Sequence, residues 1–275
     1  MKGTYKMKQC TITFPSVFMH TLPDISSEVS DELLYGTHLE KIGESGDYIR
    51  CETGYGYSGY VHKRYLSEVT DTQKTSPFIV SSVFADLLAH DTYKYRPVIT
   101  LPKGSIIHAR HKPSENSRFA EVLHRGHKCY IPSNAIIPYE KRTGVSASEA
   151  TVMRKKICDA ALMYLGSPYR WGGKSPSGID CSGLCFMSYF LNGLPLWRDA
   201  YADKRYVHEI PEASAKQGDL IYFKGHAAIY IGDGEYVHSS ASAGCVTVSS
   251  LHKSSIIYRA DLAGKFVCFA RSNML

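Results

Sequence analysis

The sequence predicts a multidomain protein: two small all-β units in its first half, then one α+β domain. A repeat, a helix signal and a change of periodicity predict it. Gly36-Thr37-His38-Leu39-Glu40 and Gly104-Ser105-Ile106-Ile107-His108 begin comparable strands, and Tyr60-Val61 followed by Leu66 matches Tyr130-Ile131 followed by Ile136. The copies repeat at about 70 residues, which suits small barrels of short strands. Ser146-Ala147-Ser148-Glu149 then reads as a capping box. Beyond it, a loop rich in Gly, Ser and Pro leads into a helical run headed by Cys181, and strand-like runs follow. A chain of 275 residues ordinarily holds two or three domains.

The first unit is read at residues 1–72 and the second, more divergent copy at 76–140. The polar stretch 70–77 separates them, and 139–145 links the second to the α+β domain at 145–275. The capping box opens that domain's first helix, with Met153, Ile157, Ala161 and Tyr164 on its buried face and Gly166 at its end. Asp180 is a good N-cap, so Cys181 opens a second helix that runs toward Asn192-Gly193. Strands are expected at 225–232, 235–239, 244–248 and 265–271, within an antiparallel sheet spanning 219–271.

Composition narrows the function classes. The formal net charge of +6 is spread along the chain without a long Lys/Arg run, which gives a nucleic-acid role little support. No apolar run approaches the roughly 20 residues that cross a bilayer, so no membrane partner is expected. The eight cysteines form no CxxC pair, and Cys51, Cys129, Cys158 and Cys268 sit inside apolar runs. That pattern suits reduced, buried thiols. No ligand-spaced Cys/His cluster occurs among twelve histidines, so neither a metal nor another cofactor is expected. Residues 1–10 hold basic side chains but no apolar signal core, which predicts a cytoplasmic protein, or a secreted one whose leader is already removed.

The stretch 169–184 carries the chemistry. A thiol in the first turn of a helix faces unpaired backbone N–H groups and the positive end of the dipole, and both favour thiolate. Most cysteines are inert and buried, and Cys185, one turn later, is read that way. A thiolate nucleophile needs a proton carrier, and His226 and His238 fall on two strands joined by Gly232-Asp233-Gly234. A two-residue turn at Asp233-Gly234 would send the two histidines to opposite faces of the hairpin. A three-residue loop would pair Ala228 with His238 and make the histidines diagonal neighbours on one face. The residues permit both.

Together these residues resemble the NlpC-type cell-wall peptidases, papain-like cysteine enzymes that cut peptidoglycan stem peptides. The resemblance covers the chain from about Ala147 onward. It rests on Tyr-x-Trp-Gly-Gly at 169–173, Ser-Pro-x-Gly-Ile-Asp-Cys-Ser-Gly-Leu at 175–184, Gln217-Gly218-Asp219-Leu220-Ile221-Tyr222-Phe223, His226 at the start of a strand, and Tyr236-Val237-His238. It implies Cys181 as nucleophile, His226 as general base, His238 as the residue that orients His226, and Tyr169 with the Cys181 N–H as oxyanion donors. Asp180, Ser182 and Trp171 match substrate-binding positions, with aromatic packing as the plain alternative for Trp171.

The β units resemble bacterial SH3-like domains, the first through Ser27-Glu28-Val29-Ser30, Leu33-Leu34-Tyr35-Gly36 and Gly56-Tyr57-Ser58-Gly59-Tyr60-Val61. The whole arrangement is similar to γ-D-glutamyl-L-diamino acid endopeptidases of the dipeptidyl-peptidase VI type, which act on muropeptides with a free N-terminal L-alanine. That similarity implies peptidoglycan-derived peptides as substrates and a monomer, with Tyr57 and Glu28 reading the amine. A solvated loop charge is the plain alternative for Glu28. The family commonly has Arg-Asp-Ser where this chain has Arg198-Asp199-Ala200, so one substrate-contacting hydroxyl is missing. The competing expectations are a secreted hydrolase of intact wall anchored by its SH3-like units, and a papain-like amidase or acyltransferase.

Overall fold

A computed structural model describes residues 9–68, 76–109 and 117–275. The chain divides into two compact units, Met1–Tyr139 and Glu140–Leu275. Most of the polar stretch expected to separate the β units, and the N-terminal segment 1–8, lie outside the described residues.

The first unit is all-β. Strands β1 (Gln9–Ile12), β2 (Ser16–His20), β3 (Val29–Leu34), β4 (His38–Ser45), β5 (Tyr48–Thr53), β6 (Ser58–His62) and β7 (Leu66–Glu68) form one sheet in the order β3-β2-β6-β5-β4-β1-β7. Alternating burial along β5 and β6 places Ile49, Cys51 and Val61 inside, with Ile12, Met19, Leu33 and Leu39. A second module follows, with β8 (Ser76–Val80), β9 (Phe84–Leu87), β10 (Ile99–Pro102), β11 (Ile106–Ala109), β12 (Phe119–His124), β13 (His127–Pro132) and β14 (Ile136–Pro138). Its strands split into a ribbon, β10-β9, and a five-stranded sheet, β13-β12-β11-β8-β14. The repeat is visible in detail: each copy runs strand, 3-10 turn, strand, at Lys63–Tyr65 before Leu66 and at Ser133–Ala135 before Ile136.

The two modules share a joint. Tyr35 belongs to the first by sequence but packs in the core of the second, beside Phe78, Ile107 and Ile131. Its carbonyl accepts from the Ile106 N–H at 2.9 Å, and its hydroxyl lies 3.0 Å from His124 Nδ1. Arg125 stacks over Phe14, 4.8 Å from the ring centroid.

The second unit is α+β. Helix α1 (Ala150–Leu162) buries Met153, Ile157 and Ala161 as expected, and Tyr164 beyond its end is also buried. It starts a turn later than the capping box predicts. Glu149 reaches back to the Ser146 N–H (3.3 Å), but the Ser146 hydroxyl donates to that carboxylate at 2.7 Å instead of accepting from a backbone amide. Helix α2 (Cys181–Phe190) is buried from Cys181 to Tyr189. Its sequence, apolar all round, suits a central helix. Ser188 donates to the Leu184 carbonyl at 2.7 Å and so keeps its buried hydroxyl bonded.

A short hairpin, β15 (Lys174–Ser175) and β16 (Gly178–Ile179), precedes α2. The main sheet contains β17 (Val207–Ile210), β18 (Leu220–Phe223), β19 (His226–Gly232), β20 (Glu235–Ser240), β21 (Cys245–Ser250) and β22 (Phe266–Ser272), ordered β17-β22-β18-β19-β20-β21. The edge strand β17 is an addition to the expected set. A one-turn helix, α3 (Ala260–Ala263), packs Leu262 with Phe223, Ala228 and Tyr236. The fully buried Asp219 carboxylate joins helix to sheet, accepting from Arg154 (2.7 Å) on α1 and from Arg271 (2.8 and 3.1 Å) on β22. Both cations are needed to hold that charge out of water. All eight cysteines are free, and all but Cys245 are buried.

Candidate active site

Backbone contacts that the motif's glycines allow set the approach to α2. A Cβ on Gly173 would stand 2.3 Å from the Gly178 carbonyl oxygen, and one on Gly183 would stand 2.2 Å from that of Gly173. Only glycine permits this packing, which presses the loop, the β15–β16 hairpin and the first turn of α2 together. Ser239 on β20 donates to the Ile179 carbonyl at 2.7 Å, tying the residue before the N-cap to the strand that carries His238.

Asp180 caps α2 through the Gly183 N–H at 2.6 Å and also accepts from the Gly172 N–H at 2.8 Å. Its two oxygens meet the Arg198 guanidinium at 3.0 and 2.9 Å, and Ser182 takes a third Arg198 bond at 2.9 Å. Asp180 is 7% exposed and Arg198 2%. Both Asp180 oxygens are therefore engaged, and its charge is balanced by Arg198. Ser182 is buried in the same cluster.

Cys181 stands at the amino end of α2, as expected, within hydrogen-bond reach of the backbone N–H groups of Ser182 and Ala227. Ala227 follows His226, so the thiol lies at the start of β19. The expected lowering of the thiol pKa is not found. Burial and the Asp180 carboxylate push it up, and the two amides and Arg198 only partly oppose them. His226 and His238 face each other, Nε2 to Nδ1 at 2.8 Å, with rings 4.9 Å apart and nearly perpendicular. Burial takes His226 down to about 4, with Arg259 and Lys265 adding to it. Burial first, then the His226 charge, takes His238 to about 3. Burial thus disfavours the charged form of the thiol and of both imidazoles alike.

The hairpin that makes the pair combines both expected loops. Asp233 (φ 49) and Gly234 (φ 72) form the two-residue turn, and a bulge between Tyr230 and Gly232 absorbs the extra residue. The pairs Ile229↔Val237 and Tyr230↔Tyr236 then keep the register of the three-residue loop. Tyr169 is fixed by its own N–H to the Gly244 carbonyl (2.7 Å), and its phenol pKa is pushed to about 12 by burial, then by Cys181 and Asp180. It stays protonated and can donate. Trp171 is 61% exposed, which removes core packing as its role. In the first unit Glu28 is exposed, and Tyr57 packs against that module's core. The same module buries Asp31 and Glu32, and Tyr55 donates to Asp31.

Residues 166–264 match the NlpC/P60 family. Over 253 residues the chain is 36% identical to dipeptidyl-peptidase 6 of Lysinibacillus sphaericus, an alignment that spans 89% of this chain and 92% of that one. The chain belongs to the NlpC/P60 family. It is 24% identical over 258 residues to a γ-D-glutamyl-L-lysine dipeptidyl-peptidase of Bacillus subtilis (88% of this chain, 82% of the other). The fold matches the crystal structure of an NlpC/P60 family protein from Bacillus cereus with a TM-score of 0.79 at 20% identity, over 97% of this chain and all of that one. The α+β unit is thus an NlpC/P60 papain-like domain, and the protein is a cysteine peptidase.

Two features of this NlpC/P60 site were not read from the sequence. Arg198 was noticed only as part of a variant tripeptide, and its pairing with Asp180 spans eighteen residues of chain. Ser249, on β21, lies 3.0 Å from His238 Nε2 and carried no motif at all.

Proposed function

We propose that the enzyme hydrolyses the γ-D-glutamyl–diamino acid bond of peptidoglycan stem peptides, preferring free peptides with an unblocked N-terminal L-alanine. The near full-length match to dipeptidyl-peptidase 6 and to the γ-D-glutamyl-L-lysine enzyme carries this reading, because it extends through the β modules as well as the peptidase domain. In the proposed cycle His226 draws the proton from Cys181 as the sulfur attacks the γ-glutamyl carbonyl. Tyr169 and the Cys181 N–H receive the oxyanion, and His226 returns the proton to the leaving amine. Water, deprotonated by His226, then cleaves the thioester. His238 orients His226. The β modules are read as SH3-like, with Tyr57 and Glu28 assigned to the amine by resemblance.

Mass spectrometry of products from L-alanyl-γ-D-glutamyl-diaminopimelate, its N-acetylated form and intact sacculi tests the proposal. Cleavage of the free tripeptide between glutamate and the diamino acid is expected, with Cys181→Ala inactive. Acetylation should slow cleavage by at least about tenfold, the effect of one lost charge-assisted contact. Efficient release of peptides from sacculi without preference for a free amine would overturn the substrate assignment in favour of wall hydrolysis. A product of acyl transfer would overturn hydrolysis itself.

A further inference from the structure

The His226–His238 contact is the start of a longer chain of polar groups. His238 is fully buried, and its second nitrogen, Nε2, meets the Ser249 hydroxyl at 3.0 Å. Ser249 is itself 2% exposed and stands opposite Tyr236 in the β20–β21 pairing. The Ser249 hydroxyl also draws the Tyr236 pKa down, against the larger effect of burial. Each ring nitrogen of His238 therefore has one partner, and the bonds dictate which nitrogen carries hydrogen.

His226 uses Nε2 for His238, which leaves Nδ1 for Cys181. A neutral imidazole can take the thiol proton on Nδ1 only if its own hydrogen sits on Nε2. That N–H must donate to His238 Nδ1, so His238 must carry its hydrogen on Nε2 and donate it to Ser249. Ser249 accepts there, and Tyr236 opposite it, whose phenol pKa is pushed to about 12 by burial, stays an intact hydroxyl. We propose that Ser249 is a positioning residue that locks His238 in the Nε2–H tautomer, so that His226 presents a bare Nδ1 to Cys181. This rests on the reading of His226 as the base. Without the serine oxygen, a buried His238 Nε2–H loses its acceptor. The other tautomer then becomes competitive, donates from Nδ1 to His226 Nε2, and drives the His226 hydrogen onto the nitrogen that faces the thiol.

The charged and titratable groups around the pair are Tyr236 from β20, Arg259 and Asp261 at α3, and Lys265 ahead of β22. Substituting Ser249 leaves the charged groups in place and alters only the surroundings of the Tyr236 phenol. On the free tripeptide, Ser249→Ala is expected to lower kcat about 10- to 100-fold with KM within about threefold, as for a base held in the wrong tautomer. Ser249→Thr keeps the hydroxyl and suits a strand, so it should recover most of kcat. Nitrogen-15 NMR of the histidine rings reads the tautomer without substrate. In the wild-type chain His238 should be protonated at Nε2, and in Ser249→Ala that signal should shift toward protonation at Nδ1. Wild-type kcat in Ser249→Ala, or a wild-type His238 protonated at Nδ1, would overturn the inference. If the tripeptide is not a substrate, the substrate proposal fails and the NMR result still decides the role of Ser249.

Discussion

Burial is the largest influence on Cys181 and on both histidines, outweighing two backbone amides at the thiol and the Asp261 carboxylate at the rings. For the thiol this means a neutral resting group despite its place at the amino end of α2. For the histidines it means a dependence of stability on pH whose sign can be worked out. An unfolded histidine takes its proton near about 6.5. In the folded protein His226 does so only at about 4 and His238 at about 3. Between those values the unfolded chain binds more protons, so stability rises with pH. The contribution is fully present above about pH 6.5 and is lost as pH falls through 4 and then 3. Both tryptophans, Trp171 and Trp197, lie in the peptidase unit, so their fluorescence in urea titrations follows its unfolding. The midpoint should drop steadily from pH 7 to pH 4, and His238→Gln should flatten that decline. The same slope in both proteins would count against the buried neutral pair. Cys181, Asp180 and His226 were legible because each is marked by its neighbours in sequence. Arg198 and Ser249 were not, because a buried partner far along the chain leaves no local trace.

Among the elements, the β19–β20 hairpin shows how a register can be decided by one residue. Sequence pattern alone left two turns open, since Gly232, Asp233 and Gly234 suit either. Both operate here: a two-residue turn closes the hairpin, and the bulge restores the pairing that puts His226 beside His238. A specific outcome follows for the chain with Gly232 deleted. Removing one residue beside the bulge leaves Asp233-Gly234 as a plain two-residue turn with Ile231 opposite Glu235, so the histidines still share a face. Turnover of the tripeptide should stay within about tenfold of wild type, because His226 and His238 keep their geometry. A folded but inactive deletion mutant would show that the bulge itself places the pair. The edge strand β17 escaped notice for a different reason. It has one neighbour, β22, and buries only Val207 fully, so it lacks the alternation by which a strand is read.

Across the whole molecule, the sequence displayed the repeat but not the way its copies join. The strand–turn–strand signature and the paired glycines revealed two modules. The splitting of the second into a ribbon and a sheet, and the lodging of Tyr35 in its core, depend on contacts between copies that periodicity does not encode. Gly36 is where that joint is tightest. Its φ is +79°, and a Cβ there would fall 1.9 Å from the Ile106 carbonyl oxygen. Gly46, with φ +59° and open space around it, shares the backbone strain without the clash. By calorimetry of the full chain, Gly36→Ala should destabilise the 9–139 unit by about 1–3 kcal/mol more than Gly46→Ala does. Equal effects would mean that the joint yields freely.

The neutral resting state of Cys181 has a consequence for the lifetime of the protein. Peroxide attacks thiolates, and the path from sulfenic to sulfinic and sulfonic acid begins only from that form. Burial and a nearby carboxylate keep the sulfur protonated until a reaction partner is in place. These surroundings make the sulfur slow to oxidise, and Cys185, fully buried one turn along, is more protected still.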